Sequence, residues 1–227
     1  MRILKCDTYE EMSRSAADQV AAQLLVKPDS HLGLTAGKTP LGMFAELVKL
    51  FREGRISFAR AHFYNLEEMV GRGPEDEASC CRYLRRNLID LTDADPKNLL
   101  LPNGLSSDID SECAKYDALF DALPDGRLDM QVLGIGSDGH IGCNRPQEKL
   151  HVESHNVRLG PDRYAAAMGM RSILLAKRLV LVANGKDKAQ AVADMCGGVI
   201  TTAVPATFLQ LHPDVTVILD KDAASLI

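Results

Sequence analysis

The 227-residue chain has no apolar run long enough to span a bilayer. Its first residues lead from Met1-Arg2-Ile3-Leu4-Lys5-Cys6 into Asp7-Thr8-Tyr9-Glu10-Glu11 rather than into an apolar secretory core. A soluble, unexported, cytoplasmic protein with no membrane partner is expected. Excess positive charge is also lacking: 26 lysines and arginines against 31 aspartates and glutamates leave a formal charge of -5, so nucleic acid is not an expected partner. The six cysteines, at 6, 80, 81, 113, 143 and 196, show no C-x-x-C spacing. That excludes a disulfide scaffold and predicts reduced thiols used mainly as core filler. Internal repeats, low-complexity tracts and interdomain linkers are absent, and one domain over 1–227 is expected.

What is present is alternation. Apolar stretches at 3–6, 31–35, 61–66, 130–135, 179–183 and 215–219 predict strands. Helical periodicity predicts helices at 41–51, 80–91 and 186–195, and one after Thr8, a predicted N-cap ahead of Glu11, carrying Ala16, Val20, Leu24 and Leu25 on its inner face. Runs such as Leu179-Val180-Leu181-Val182-Ala183 are apolar on both faces of a strand. The expected fold is therefore α/β: a mostly parallel, Rossmann-like sheet with helices on both faces. The stretches 71–74 and 151–163 carry the least pattern; the second reads as a flap over a site or a surface loop.

Ligands of such sheets collect beyond the carboxyl ends of the strands, and three loops there carry chemistry. In Thr35-Ala36-Gly37-Lys38-Thr39-Pro40, a glycine among small residues before a helix offers backbone N–H groups to an anion, and Lys38 adds a full charge. The G-x-x-x-x-G-K-[ST] nucleotide motif fails, because Leu32 stands at its first glycine. In Asn65-Leu66-Glu67-Glu68-Met69, paired glutamates put at least one carboxylate over the expected site, where burial or like charge makes a useful base; a solvated strand edge is the plainer alternative. In Gly134-Ile135-Gly136-Ser137-Asp138-Gly139-His140-Ile141-Gly142-Cys143-Asn144-Arg145-Pro146, four glycines let the backbone bend closely round a ligand. Asp138 stands two residues from His140 there and can fix its tautomer. Asp-x-His supplies too few ligands for a metal, and none is expected.

Together the three loops resemble the family of glucosamine-6-phosphate deaminases and galactosamine-6-phosphate isomerases, with the 6-phosphogluconolactonases as more distant members. Leu32 to Met43 resembles its phosphate loop, Tyr64-Asn65-Leu66-Glu67-Glu68 its "F-N-x-D-E" segment, and Leu133 to Gly142 its most characteristic block. Val204-Pro205-Ala206-Thr207-Phe208-Leu209-Gln210-Leu211-His212-Pro213 is similar to its closing signature. Asn144 and Pro146 favour the deaminase branch. The resemblance implies a phosphorylated amino sugar as ligand and no cofactor. It also implies ring opening by His140 with Asp138, proton transfer from C2 to C1 by the residue at 67, and release of ammonia to give fructose 6-phosphate. Thr35, Ala36, Gly37, Lys38 and Thr39 would hold the phosphate, with Glu68, Gly136, Asn144 and Arg158, the nearest match to a flap arginine, also at the substrate.

Four departures from the family pattern stand out. Glu67 replaces an aspartate, Arg145 replaces the glutamate partner of the histidine, Gln147 replaces a glycine, and Asp214 stands where a phosphate-binding lysine is expected after Leu-His-Pro. Lys38 is expected to restore that charge. Lactone hydrolysis, and sugar-phosphate binding without catalysis, are the competing readings. A monomer or small homo-oligomer is expected.

Overall fold

The first strand, β1 (Arg2–Cys6), turns directly into α1 (Tyr9–Val26) through a reciprocal cap. The Thr8 hydroxyl accepts from the Glu11 amide at 3.1 Å, and the Glu11 carboxylate accepts from the Asp7 amide at 2.9 Å. The chain continues as β2 (His31–Leu34), α2 (Leu41–Arg52), β3 (His62–Asn65), β4 (Glu67–Met69), α3 (Cys80–Asn87), β5 (Leu99–Leu100), α4 (Ile109–Asp121) and β6 (Met130–Gly134). It closes with β7 (His155–Gly160), β8 (Arg163–Ala167), α5 (Met170–Leu175), β9 (Leu179–Ala183), α6 (Ala189–Cys196) and β10 (Val215–Asp220). This computed structural model describes residues 1–227.

Seven strands form one parallel sheet in the order β1-β10-β9-β6-β2-β3-β5. Successive side chains of a strand face opposite sides, so the continuous apolar runs supply two cores at once. Val180, Val182 and Ile218 join α1, α2 and α3 in one cluster of 26 buried residues. Leu179, Leu181, Val217 and Leu219 join α4, α5 and α6 in another of 25. The near-equal sizes mean that neither face of the sheet is left to water, as the sequence predicted. No helix is long and apolar enough to cross a membrane.

The chain runs outward from β2 through β3 to β5, then returns to place β6 on the other side of β2. The crossovers thus diverge between β2 and β6, which opens a crevice beyond their carboxyl ends.

The sequence did not predict a second sheet, antiparallel, in the order β4-β8-β7. Within the segment 151–163, read there as a flap or surface loop, His155–Gly160 form a strand of this sheet, with a turn at Asp162 (φ 52°) before β8. The reason is local: Ala165, Ala166 and Ala167 are small enough to pack flat between β4 and β7 while fully buried. Such a strand shows little alternation of polarity.

Candidate active site

The crevice holds a cavity of about 500 Å³ lined by the loops that follow β2, β6 and β9, together with Glu67. Its first wall is Thr35 to Pro40. Gly37 sits at φ 139°, a conformation that glycine adopts without strain. The loop is pinned from behind. The Tyr83 hydroxyl donates to the Gly37 carbonyl, and the Tyr9 hydroxyl donates to the Thr39 carbonyl at 3.0 Å while accepting from the Gly42 amide at 2.8 Å. The amides of Gly37, Lys38 and Thr39 donate to no group of the protein, which leaves them for an anion.

Across the cavity, β6 ends in a tight turn. Gly139 donates to the Gly136 carbonyl at 3.0 Å, and Gly136 to the His140 carbonyl at 2.9 Å. This folds Asp138 against the imidazole, with Oδ1 2.5 Å from Nδ1 and 3.2 Å from the His140 amide. Nδ1 is thereby engaged, and Nε2 is the nitrogen available to a ligand. Burial alone would raise the Asp138 carboxyl, but the bonds from the His140 amide and ring outweigh it and hold the group below its ordinary range. The closing Val204 to Pro213 segment buttresses this turn. The Ala206 amide donates to the Gly139 carbonyl at 2.9 Å, and a side chain at Gly139 would run into Val204 Cγ1 at 2.5 Å.

Gly136 is a fixed requirement of the pair, since an added Cβ would lie 2.1 Å from His140 Nδ1 and 2.7 Å from Asp138 Oδ1. Gly136→Ala is therefore expected to push the imidazole aside and lower turnover by about 10²-fold, the usual cost of an ångström-scale misplacement. Circular dichroism should be unchanged, and an alanine variant with wild-type turnover would show that the pair needs no such clearance.

The two glutamates of β4 face opposite ways, as period-two alternation requires. Glu67 turns to the cavity and is only 8 % exposed. Burial and the charge of Glu68 push its carboxyl up to about 7, against a weaker lowering by the Cys143 thiol. Oε2 has no hydrogen-bond partner. Glu68 turns the other way and caps α3, accepting from the Cys80 and Cys81 amides at 2.9 Å each and from the Ser79 hydroxyl at 2.9 Å.

Thr35, Ala36, Gly37, Lys38, Thr39, Glu67, Gly136 and His140 meet at the cavity, with Asp138 directly behind His140. The remaining expected site residues do not. Glu68 is committed to α3. Asn144 is fully buried below the wall, its amide donating to the Ile141 and Met168 carbonyls at 3.2 and 2.9 Å. The next side chain, Arg145, is exposed and does not line the cavity. Arg158 lies on β7, which β8 separates from Glu67's strand, and its Nε donates to the Gly160 carbonyl at 3.3 Å.

Position 214 is corrected as well. Asp214 precedes β10, at the amino-terminal end of the parallel strands opposite the crevice and 3.4 Å from Arg178, so a lysine there would not reach the cavity. The second lysine comes instead from the loop after β9. Lys188 lines the cavity with Asn184 and Asp187, paired to Asp187 at 3.1 Å, while Asn184 accepts from the Thr39 hydroxyl at 2.7 Å. Sequence reasoning missed these three, although they follow the most apolar strand of the chain and the rule of carboxyl ends pointed to them. No group of three or more His, Cys, Asp or Glu side chains gathers closely enough to hold a metal ion.

A parallel α/β sheet with an anion loop, an oriented imidazole and a buried carboxyl meeting at its switch point defines a class: small-molecule enzymes that work by moving protons. Residues 6–218 match the family described as glucosamine-6-phosphate isomerases/6-phosphogluconolactonase, and the chain belongs to that family. A glucosamine-6-phosphate deaminase of Halothermothrix orenii is 40% identical over 243 aligned positions, covering 100% of both chains. The solved structure of a monomeric glucosamine-6-phosphate deaminase has a TM-score of 0.95 and 36% identity, again over 100% of both chains. A 6-phosphogluconolactonase from Leishmania guyanensis shares the fold, with a TM-score of 0.77 and 22% identity over 98% of this chain and 97% of that one.

Proposed function

We propose that the chain converts glucosamine 6-phosphate to fructose 6-phosphate and ammonia. The observation that carries this reading is the convergence of Glu67, His140 and the loop at Gly37 on one cavity. Nε2 of His140, with Asp138 holding Nδ1, moves a proton between the anomeric hydroxyl and the ring oxygen and so opens the pyranose. Glu67 then takes the proton from C2 of the open amino-aldose and returns it to C1. Water adds at C2, ammonia leaves, and the ketose phosphate remains. No cofactor enters, since the opened sugar supplies its own carbonyl. The named activity of the Halothermothrix orenii and monomeric relatives supports the assignment, and the monomeric relative supports a monomer or small oligomer.

The phosphate is assigned to the free amides of Gly37, Lys38 and Thr39, with Lys38 and Lys188 supplying charge. Each lysine contributes a charge-assisted bond, so Lys38→Ala and Lys188→Ala are each expected to raise KM about tenfold or more with little change in kcat. An unchanged KM in either variant removes that lysine from the phosphate site.

Ammonia and fructose 6-phosphate formation should be measured with glucosamine 6-phosphate, beside galactosamine 6-phosphate and 6-phosphogluconolactone. Lactone hydrolysis without ammonia release, or binding of all three without turnover, would overturn the assignment. The proton-accepting form of Glu67 is the carboxylate, and its carboxyl is pushed up to about 7. The value of kcat/KM should therefore fall about tenfold per pH unit on the acid side of neutrality. A profile flat down to pH 5 would show that Glu67 is not the base.

A further inference from the structure

The three amides left free for an anion, those of Gly37, Lys38 and Thr39, each share a planar peptide with a carbonyl that points the opposite way. Whatever holds the carbonyl therefore aims the amide. For the peptide between Gly37 and Lys38 the holder is Tyr83 of α3, whose hydroxyl donates to the Gly37 carbonyl. Gly37 and Lys38 line the cavity and Tyr83 does not, so the carbonyl is drawn outward and the Lys38 N–H faces in. This peptide needs a holder. Gly37, at φ 139°, has no side chain to hinder rotation, and nothing lies within 4 Å of where its Cβ would stand. A flip would turn a carbonyl oxygen toward the anion in place of the N–H.

We propose that Tyr83 is the positioning residue of the phosphate loop: its bond to the Gly37 carbonyl locks the Gly37–Lys38 peptide with the N–H toward the cavity. This rests on the assignment of the phosphate to that loop. Tyr83 is itself well held. Its ring meets that of Phe44 on α2 edge-on at 6.2 Å, and the Arg86 guanidinium lies 5.9 Å from its centroid. The first turn of α3 is seated on the Glu68 carboxylate through the Cys80 and Cys81 amides at 2.9 Å. Glu68 thus ties the helix that carries Tyr83 to the strand that carries Glu67, so one strut links the phosphate loop to the proposed base. Tyr9 supplies the contrast. Its hydroxyl makes more bonds to the same loop, donating at 3.0 Å to the Thr39 carbonyl and at 3.4 Å to the Lys38 carbonyl while accepting from the Gly42 amide at 2.8 Å. The shorter donated bond holds the peptide between Thr39 and Pro40, which has no N–H to aim. The Lys38 carbonyl also accepts from the Leu41 amide at 3.4 Å, and so does not depend on Tyr9 alone.

The test is a titration of the ligand-free protein with inorganic phosphate, followed by the nitrogen-15 and proton signals of the amides of residues 37 to 39, in wild type, Tyr83→Phe and Tyr9→Phe. Phenylalanine at 83 keeps the ring on Phe44 and removes only the hydroxyl. In wild type the Lys38 amide proton should move downfield as phosphate binds. Tyr83→Phe should weaken phosphate binding about tenfold, suppress that movement, and raise KM for glucosamine 6-phosphate by a similar factor with kcat little changed. Tyr9→Phe should weaken phosphate binding by less than about threefold, although it removes more of the loop's bonds and should lower Tm at least as much. Equal phosphate affinity in wild type and Tyr83→Phe, or a loss in Tyr9→Phe as large as that in Tyr83→Phe, would overturn the inference. The titration contains no sugar, so absence of ammonia release from a wild type that binds phosphate would fall on the proposed reaction alone. A wild type whose amides at 37 to 39 ignore phosphate would overturn the phosphate assignment and this inference together.

Discussion

Glu67→Gln is expected to lower kcat/KM for ammonia release by about 10²–10⁴-fold, the usual contribution of a positioned general base, while sugar-phosphate binding persists. The amide keeps the shape of the side chain but cannot accept the C2 proton. Binding persists because the phosphate is assigned to the loop at Gly37 and not to β4.

The same substitution carries an opposite effect on stability, and the sign follows from the raised carboxyl. Its value of about 7 in the folded chain exceeds the ordinary 4.5. The folded state therefore binds this proton more tightly than the unfolded one. The stability it contributes is full below the ordinary value and is lost as pH rises toward 7. At about 1.4 kcal/mol per unit, the ionised carboxylate costs the fold roughly a few kcal/mol above neutrality. Glu67→Gln should therefore raise Tm at pH 8 and change it little at pH 4. A variant that lost both activity and Tm at pH 8 would mean that Glu67 is a structural residue.

His140→Gln is expected to reduce kcat by about 10²–10⁴-fold through loss of ring opening. Free sugar phosphate opens slowly in water, so this variant retains a residual rate limited by that opening, whereas Glu67→Gln has no such bypass. Asp138→Asn should act in the same direction with less severity, since it removes the charge that orients Nδ1 and leaves the imidazole in place. The readout is kcat from ammonia release, with KM unchanged. Full activity in His140→Gln would transfer ring opening to another group.

The sequence made the frame of the site legible because its strands are short, apolar and bounded by turn residues. The run 179–183 emerged as predicted for β9, and the glycine-rich block after β6 placed Asp138 and His140 together. What escaped depended on side-chain direction or on sequence-distant pairing. Glu67 and Glu68 are chemically identical neighbours, and only the pleat of β4 sends one to the cavity and the other to the α3 N-terminus. Arg145 and Arg158 were placed at the site by resemblance, one at the position of the histidine's glutamate partner and the other as the nearest match to a flap arginine. Neither lines the cavity: Arg145 is exposed, and β8 separates the strand of Arg158 from that of Glu67. Lys188 escaped because the charge missing after the Leu-His-Pro block was assigned to Lys38 alone, whereas the fold also brings the end of β9 to the loop at Gly37.

The most direct measurement follows the hydrogen that Glu67 is assigned to carry. With glucosamine 6-phosphate deuterated at C2, slowed ammonia release and a fraction of the deuterium at C1 of the fructose 6-phosphate product are predicted, both lost in Glu67→Gln. Ammonia release at an undiminished rate with no deuterium at C1, or the same label transfer with residue 67 changed to glutamine, would contradict the account.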